Sequence, residues 1–267
     1  MKLCLMFITN DPVAAREAVD AGVDRIMIDL ETIGKEERQQ GRSTVISGHA
    51  LDNISAVREA LPGAEILVRT NPFHTGLALE VEESLRRGAD VLMLPLFRTE
   101  QEVIKYVALV DGRARICLLV ETPQAMARLP LILAVPGLDE IMIGLNDLHL
   151  GLGLQFMFEC VAGGLVEHMA NQITKAGIRF GFGGIARLGE GLVPAELVLS
   201  EHIRLGSSMV ILSRSFHDSI ECGLSKEIAK LRAEERRLRS LPHRALMENR
   251  DEFARRVWRV ARSPVDS

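Results

Sequence analysis

Four stretches of the sequence are decisive for the fold: ILVRTNP (66–72), VLMLPL (91–96), ICLLVETP (116–123) and IMIGLNDL (141–148). Each is a short apolar run that ends in a polar or turn-forming residue. The runs do not alternate between apolar and polar residues, as a strand with one solvent-facing side would. Continuous runs of this kind are typical of parallel strands that helices cover, so they predict an α/β fold.

The same alternation of strand and helix patterns extends from these four runs to both ends of the chain. Helix patterns separate the runs; several start at a capping residue, as at Thr99, and stop at glycine, as at Gly88 and Gly206. The first strand is followed by ITNDP (8–12), which lacks the glycine-rich turn of an open dinucleotide-binding sheet. We therefore predict a closed (β/α)8 TIM barrel. The strand candidates are Leu3–Ile8, Arg25–Leu30, Glu65–Arg69, Val91–Leu94, Ile116–Val120, Glu140–Gly144, Arg179–Gly183 and Met209–Leu212.

The strand ends follow a constant spacing. Arg69, Pro95, Glu121 and Asp147 lie 26 residues apart, each at or just past the end of a strand candidate. A step of one βα unit predicts that all four lie at the same height on the barrel rim. Active sites of such barrels form at this C-terminal face, so we expect these residues to serve function.

Composition narrows the class of protein. The formal net charge is −4 and aromatic residues make up 4%, which argues against nucleic acid as a partner. Apolar runs stay far short of the roughly 20 residues that a membrane span needs, so we expect no membrane contact. The four cysteines are far apart, which predicts reduced thiols and a cytoplasmic location.

The chain changes character after about residue 218. We predict a catalytic barrel domain over residues 1–218 and a helical extension over 219–267, rich in Arg and Glu. This arm either caps its own barrel or packs on a neighbouring subunit, because Phe253, Val257 and Trp258 need a surface to cover. The second alternative predicts a homo-oligomer.

Two rim carboxylates suit a divalent cation. Mg²⁺ binds one or two protein carboxylates together with water and substrate oxygens, and Glu121 and Asp147 follow neighbouring strands. We predict that they hold Mg²⁺ or Mn²⁺; the alternative is that each caps a helix or pairs with an arginine. Arg69 is placed to grip a substrate carboxylate, or else to pair with Glu31 or Glu121.

The second strand adds further candidates. Asp29 and Glu31 point to the same side of their strand, and Glu31 would orient a bound water or hold Arg69. The loop after it is long and polar, and its Lys35 would contact an anionic substrate or belong to a solvated charge run with Arg38 and Arg42.

Histidines offer candidates for proton transfer. His49 and His149 are those we place near the rim, as general bases or as structural residues.

The strand-end motifs IDLE, VRTNP, MLP, ETP and IGLNDL, in this order, resemble the HpcH/HpaI aldolase and citrate lyase β-subunit family of the phosphoenolpyruvate/pyruvate barrel superfamily. The resemblance implies a metal held by Glu121 and Asp147 and chelated by a 2-oxo acid. It implies that Arg69 stabilises the developing enolate, with the backbone around Gly144–Asp147 on the substrate carboxylate. We therefore assign substrate binding to Arg69, Asn146, Pro95 and Lys35, and catalysis to Arg69, Glu31 and His49.

The chain departs from the family at two positions. Thr32 follows Glu31 where relatives carry a catalytic histidine or a further acid, and Leu96 replaces a lysine or polar residue. We predict a metal-dependent carbon–carbon lyase or aldolase acting through the enolate of a small carboxylate. The alternatives are decarboxylation, phosphoenolpyruvate-type isomerisation or condensation on the same site, and a non-catalytic barrel that binds a metabolite.

Overall fold

Eight parallel strands close into a barrel in chain order, and β8 completes it by pairing with β1. This is a computed structural model that describes residues 2–34, 50–219 and 223–263. The strands are β1 (Cys4–Ile8), β2 (Arg25–Asp29), β3 (Glu65–Arg69), β4 (Val91–Leu94), β5 (Arg115–Val120), β6 (Glu140–Ile143), β7 (Arg179–Ile185) and β8 (Met209–Leu212). The predicted (β/α)8 barrel is confirmed.

Helices surround the barrel and continue beyond its last strand. In the described part of the chain they are α1 (Pro12–Asp20), α2 (Leu51–Ala60), α3 (Leu77–Arg86), α4 (Glu100–Val110), α5 (Pro123–Ala127), α6 (Leu129–Leu133), α7 (Leu145–Gly151), α8 (Glu159–Ala162), α9 (Leu165–Lys175), α10 (Ala195–Leu205), α11 (Leu224–Arg239) and α12 (His243–Arg262). A 3₁₀ helix, Arg214–Ser219, follows β8. None of the described helices is long and apolar enough to cross a membrane.

Local sequence signals explain where several helices begin and end. Asp11 caps α1 by accepting a hydrogen bond from Val13 N (3.0 Å). Thr99 and Glu102 form a reciprocal capping box at the start of α4. At the end of α10, Gly206 has the left-handed conformation (φ +75°) that its sequence position predicts.

Two apolar layers result from the alternation of side chains along the strands. The outer layer lies between the strands and the helices and includes Phe7, Ile66 and Val68. The inner layer fills the barrel itself, and it is unusually rich in methionine. Its buried members are Met6, Met27, Leu67, Val91, Met93, Cys117, Leu119, Met142 and Met209.

The inward-facing positions carry charge at both ends of the barrel. In β2 the inward column is Arg25, Met27 and Asp29, and in β3 it is Glu65, Leu67 and Arg69, because residues two apart face the same side. At the N-terminal end, Arg25 makes two hydrogen bonds to Glu140 (2.6 and 3.0 Å) and also binds Glu65. Arg115 and Arg179 complete this ionic plug, which the sequence analysis did not identify.

The C-terminal helices pack on the chain's own barrel. α12 lies against α10 and α8, where Phe253 is buried in edge contact with Phe158 (5.8 Å between ring centres). α11 lies against α1 and α10. Phe253 and Val257 thus find their cover within the chain, so they do not require a neighbouring subunit, contrary to our reason for expecting one.

Candidate functional site

Arg69 and Asp29 form the base of the candidate site at the C-terminal end of the barrel. They lie side by side because Asp29 of β2 and Arg69 of β3 are partners in the strand register. Arg69 donates to Asp29 through Nε (2.8 Å) and Nη2 (2.7 Å), a bidentate pair. Burial opposes charge on the Arg69 guanidinium, but the Asp29 carboxylate, with Glu31 and Glu121, raises its pKa above the ordinary value.

Glu31 lies on the same side of the chain as Asp29, as its spacing predicts. Its carboxylate is 3.1 Å from Arg69 Nη1, and its backbone N–H donates to Asp29 Oδ1 (3.1 Å). Of the two partners that the sequence left open for Arg69, the contacts favour Glu31, with Asp29 added. Arg69 therefore donates two hydrogen bonds to Asp29 and forms an ion pair with Glu31.

Glu121 comes directly after β5 and is 3% exposed. One carboxylate oxygen accepts a hydrogen bond from Leu96 N (3.0 Å), and Leu96 has a left-handed backbone (φ 53°) that is rare for its residue type. The other oxygen lies against Gly144, where an added Cβ would be 2.7 Å from it. The position of Glu121 is thus set by a strained backbone on one side and a glycine on the other.

Asp147 lies in the first turn of α7, beyond Ile143 at the end of β6. The prediction of equal height is therefore only approximate: Arg69 ends a strand, Glu121 follows one, and Asp147 is on a helical turn. Each 26-residue step contains a helix and loops whose lengths differ from step to step. Equal spacing in sequence therefore does not place these residues at equal height on the barrel. Burial raises the pKa of Glu121 well above its ordinary value, and the Asp147 carboxylate raises it further.

The chemistry of these donors fits a hard divalent cation. In the described ranges, no three His, Cys, Asp or Glu side chains form a ready-made metal cluster. Two carboxylates are nevertheless a sufficient protein contribution for Mg²⁺, which keeps several waters and binds substrate oxygens. A buried carboxylate whose pKa is raised by a second carboxylate is an environment that a cation would stabilise.

The remaining predicted residues have varied placements. Pro95 is buried directly after β4, and Asn146 is half-buried in α7 beside Asp147. His149 is 4% exposed and its Nδ1 is 3.1 Å from Leu145 O, within its own helix. Two predicted residues, His49 and Lys35, lie outside the described residues, as do Arg38 and Arg42.

His74 is a rim histidine that the sequence analysis overlooked. It follows β3, and its Nε2 is 3.1 Å from Glu80 Oε2, while its Nδ1 accepts from Gly76 N (3.1 Å). With Nδ1 as acceptor, Nε2 must carry the proton and donate to Glu80. Both nitrogens are engaged, so His74 serves the structure of this loop.

Asn71 is a second overlooked residue, although it stands in the VRTNP motif. It contacts the loop after β2 through Thr32 and Ile33, and it contacts Glu80 of α3. Its polarity just past a strand end, next to Arg69, was the available signal.

Comparisons with known proteins bear on the family and on the fold. Residues 3–182 match the family model described as HpcH/HpaI aldolase/citrate lyase. No curated protein sequence matches the chain significantly.

Solved structures share the fold. An HpcH/HpaI aldolase from Desulfitobacterium hafniense DCB-2 has a TM-score of 0.63 at 15% identity, over 90% of this chain and 94% of that chain. An HpcH/HpaI aldolase/citrate lyase family protein from Burkholderia cenocepacia J2315 has a TM-score of 0.64 at 16% identity, over 82% and 94%. Citrate synthase SbnG has a TM-score of 0.60 at 15% identity, over 87% and 94%. At these identities the likeness shows the fold alone.

The family match covers most of the barrel, from β1 into β7. The chain belongs to the HpcH/HpaI aldolase/citrate lyase family, a family of lyase- and aldolase-type enzymes.

Proposed function

We propose that this chain is a divalent-metal-dependent carbon–carbon lyase or aldolase that acts through the enolate of a pyruvate-like 2-oxo acid or an acetyl-type substrate. One observation carries the proposal: the Glu121 carboxylate is buried at the C-terminal face of the barrel, where Leu96 N donates to it and Gly144 lies against it, with Asp147 among the charges that act on it. A cation bound by these two carboxylates would offset the cost of burying Glu121 and its repulsion by Asp147.

In this proposal Glu121 and Asp147 hold Mg²⁺ or Mn²⁺. When bound, the metal supplies Lewis-acid stabilisation of the charge that develops on the enolate oxygen. Leu96 N and Gly144 fix the Glu121 carboxylate before any ligand arrives, so little reorganisation is needed.

Arg69 supplies a fixed positive charge beside the metal ligands. Two of its N–H groups donate to Asp29 and its Nη1 is paired with Glu31, and in this proposal its other N–H groups donate to a substrate carboxylate or to the enolate oxygen. Because the two carboxylates hold the guanidinium rigidly, it acts as a preorganised donor.

Substrate contacts complete the proposal. Asn146, with the backbone around it, and Pro95 would line the substrate, and Lys35 would meet its anionic end. His49 stays our prediction for proton transfer, and a homo-oligomer and a cytoplasmic location stay predictions as well.

The test compares metal binding and turnover in three variants. We expect Glu121→Gln and Asp147→Asn each to weaken Mn²⁺ binding by more than about 100-fold, since even groups behind metal ligands are worth about 10- to 100-fold. Glu59→Gln, an exposed carboxylate on α2, is the matched control and should bind Mn²⁺ like the wild type. Titration calorimetry measures the affinity.

Turnover is measured on 4-hydroxy-2-oxo acids and hydroxyacyl substrates, and in the condensing direction with pyruvate and aldehydes. We expect activity that needs Mg²⁺ or Mn²⁺ and is lost in both site variants. Wild-type Mn²⁺ affinity in both variants, or no metal-dependent turnover on any of these substrates, would refute the proposal.

A further inference from the structure

Asn71 makes contacts on both sides of Glu31. Its Oδ1 accepts hydrogen bonds from Thr32 N (2.9 Å), Ile33 N (3.0 Å) and, more weakly, Thr32 Oγ1 (3.3 Å). Its Nδ2 donates to Leu30 O (3.1 Å). One side chain thus holds the backbone before and after Glu31.

Glu80 fixes which way the Asn71 carboxamide faces. The Glu80 carboxylate accepts from Asn71 N (2.7 Å) and from Asn71 Nδ2 (3.1 Å). Since a carboxylate only accepts, it requires the amide nitrogen on its side, and this turns the amide oxygen towards the N–H groups of Thr32 and Ile33. His74 donates to the same carboxylate and holds it in turn.

We propose that Asn71 is a positioning residue of the active site, which holds Glu31 against Arg69 and thereby sets the direction of the guanidinium. This inference rests on the proposed function. Glu31 lies 3.1 Å from Arg69 Nη1, so a shift of its backbone would change the orientation of the guanidinium. Misplacement of a catalytic group by about 1 Å can cost about 100-fold in rate.

The same contacts give a role to Thr32, one of the two positions at which the chain departs from the family pattern. Both the backbone N–H and the hydroxyl of Thr32 are directed at Asn71 Oδ1. Thr32 is therefore an anchor for this loop, and Asn71 is its partner across the site.

Three variants test the proposal. Asn71→Asp keeps the shape but places an acceptor against Leu30 O and the Glu80 carboxylate, which both need a donor. Glu80→Gln alone keeps one acceptor for Asn71 N. The double variant Asn71→Asp/Glu80→Gln restores a donor to the contact between residues 71 and 80, so it should recover part of the loss.

Asn249→Asp is the matched control. Asn249 also donates through Nδ2, to Ser200 Oγ (3.0 Å), but it lies on α12 away from the site. The control therefore carries the same chemical change and the same loss of a donor.

We expect Asn71→Asp to lower kcat by about 10- to 100-fold while Mn²⁺ affinity stays at the wild-type value, because Glu121 and Asp147 are untouched. The NMR resonance of Arg69 Nε–H should shift, and the amides of Thr32 and Ile33 should exchange faster with solvent. The double variant should move all three readouts back towards the wild type, and Asn249→Asp should change none of them.

The proposal is overturned if the Arg69 resonance does not move in Asn71→Asp, or if kcat falls no further than in Asn249→Asp. A loss of kcat that merely follows lost Mn²⁺ affinity or lost folding also overturns it. If the wild type has no metal-dependent turnover, the proposed function fails, while the Arg69 resonance and amide exchange still decide whether Asn71 positions Glu31.

Discussion

At the N-terminal end of the barrel, Glu140 and Glu65 both contact Arg25, and Arg115 adds a second guanidinium to each. At the C-terminal end, Arg69 contacts Asp29 and Glu31, while Glu121 receives a backbone N–H and neighbours Asp147. Between the two ends, the inward-facing side chains of the same strands form one apolar layer inside the barrel.

The pKa of one carboxyl group at each end shows what this difference means. Burial acts to raise the pKa of Glu65, but Arg25 and Arg115 lower it below the ordinary value. Burial and Asp147 raise the pKa of Glu121 well above its ordinary value. The carboxylates of the ionic plug are therefore paired with arginines within the chain, whereas at the rim a bound cation would lower the cost of charging Glu121, as the proposed function requires.

The largest effect should come from breaking the plug. Glu140→Ala removes the fully buried, doubly hydrogen-bonded partner of Arg25, which is itself 1% exposed and keeps only the partly exposed Glu65. Removing one member of a buried ion pair typically costs about 3–5 kcal/mol, so we expect a loss of this size in the free energy of unfolding in urea.

The double variant Arg25→Met/Glu140→Leu is the control for this loss. It removes both charges and should be clearly more stable than Glu140→Ala, because no buried charge is left alone. A single variant as stable as the wild type would mean that the plug does not stabilise the barrel.

At the rim, Gly144→Ala should damage function more than stability. Gly144 has an ordinary backbone (φ −83°), but its added Cβ would lie 2.7 Å from both Cβ and Oε2 of Glu121. We expect a displaced carboxylate and a Mn²⁺ affinity about 10- to 100-fold lower, measured by calorimetry.

Gly63→Ala is the matched control, since nothing lies within 4 Å of its added Cβ. Equal Mn²⁺ affinity in the two alanine variants would show that Glu121 does not depend on Gly144.

The two ends also differ in what the sequence could predict. The period-two spacing of Asp29 and Glu31 was enough to place both on the side of Arg69, because strand geometry is local. The plug was not predicted, because Arg25, Glu65 and Glu140 each begin a strand, where a charge usually marks a solvent-exposed turn. Only closure of the barrel brings these strand starts together.

The exact positions of side chains and backbone within the site could not be predicted from the sequence either. The left-handed backbone of Leu96 and the close approach of Gly144 to Glu121 depend on how neighbouring loops meet. Asn71 is similar, since its partners lie on the loop after β2 and on α3.

In metal-free protein, one carboxyl group at each end of the barrel should make the free energy of unfolding depend on pH, with opposite signs. A chelator keeps the protein free of metal. Glu65 has a lowered pKa in the fold, so its stabilisation is present above the ordinary value of 4.5 and is lost as pH falls below it. Glu121 has a raised pKa in the fold. Below the ordinary value of 4.5 it therefore does not destabilise the fold, and as pH rises above 4.5 it lowers the free energy of unfolding.

Unfolding free energies measured from acid to neutral pH check this. The stability of the wild type relative to Glu65→Gln should increase with pH, and that relative to Glu121→Gln should decrease. Added Mn²⁺ should reduce only the second trend. Slopes of the same sign would contradict the contrast between the two ends.

The smallest effect concerns two left-handed residues, Leu96 (φ 53°) at the rim and Asp111 (φ 50°) at the end of α4. Glycine at either position relieves about 1 kcal/mol of backbone strain, offset by about 0.5–1 kcal/mol of added chain entropy. We expect both glycine variants to unfold with nearly the wild-type free energy. Only Leu96→Gly should weaken Mn²⁺ binding, because glycine keeps the N–H that donates to Glu121 but allows this backbone more conformations.

Equal Mn²⁺ affinity in Leu96→Gly and Asp111→Gly would show that the left-handed backbone of Leu96 has no part in holding Glu121.

The hydrogen bonds between Leu3, directly before β1, and α11 have a consequence for synthesis on the ribosome. Leu3 N donates to Glu235 Oε1 (2.7 Å) and Arg232 donates to Leu3 O (2.7 Å), although these residues are 232 and 229 positions apart in the chain. When β1 leaves the ribosome, the edge that pairs with β8 therefore stays unpaired until β8 and α11 have been synthesised. During that interval the nascent chain exposes a strand edge that other chains can pair with, so folding yield should depend on chaperones and on translation speed.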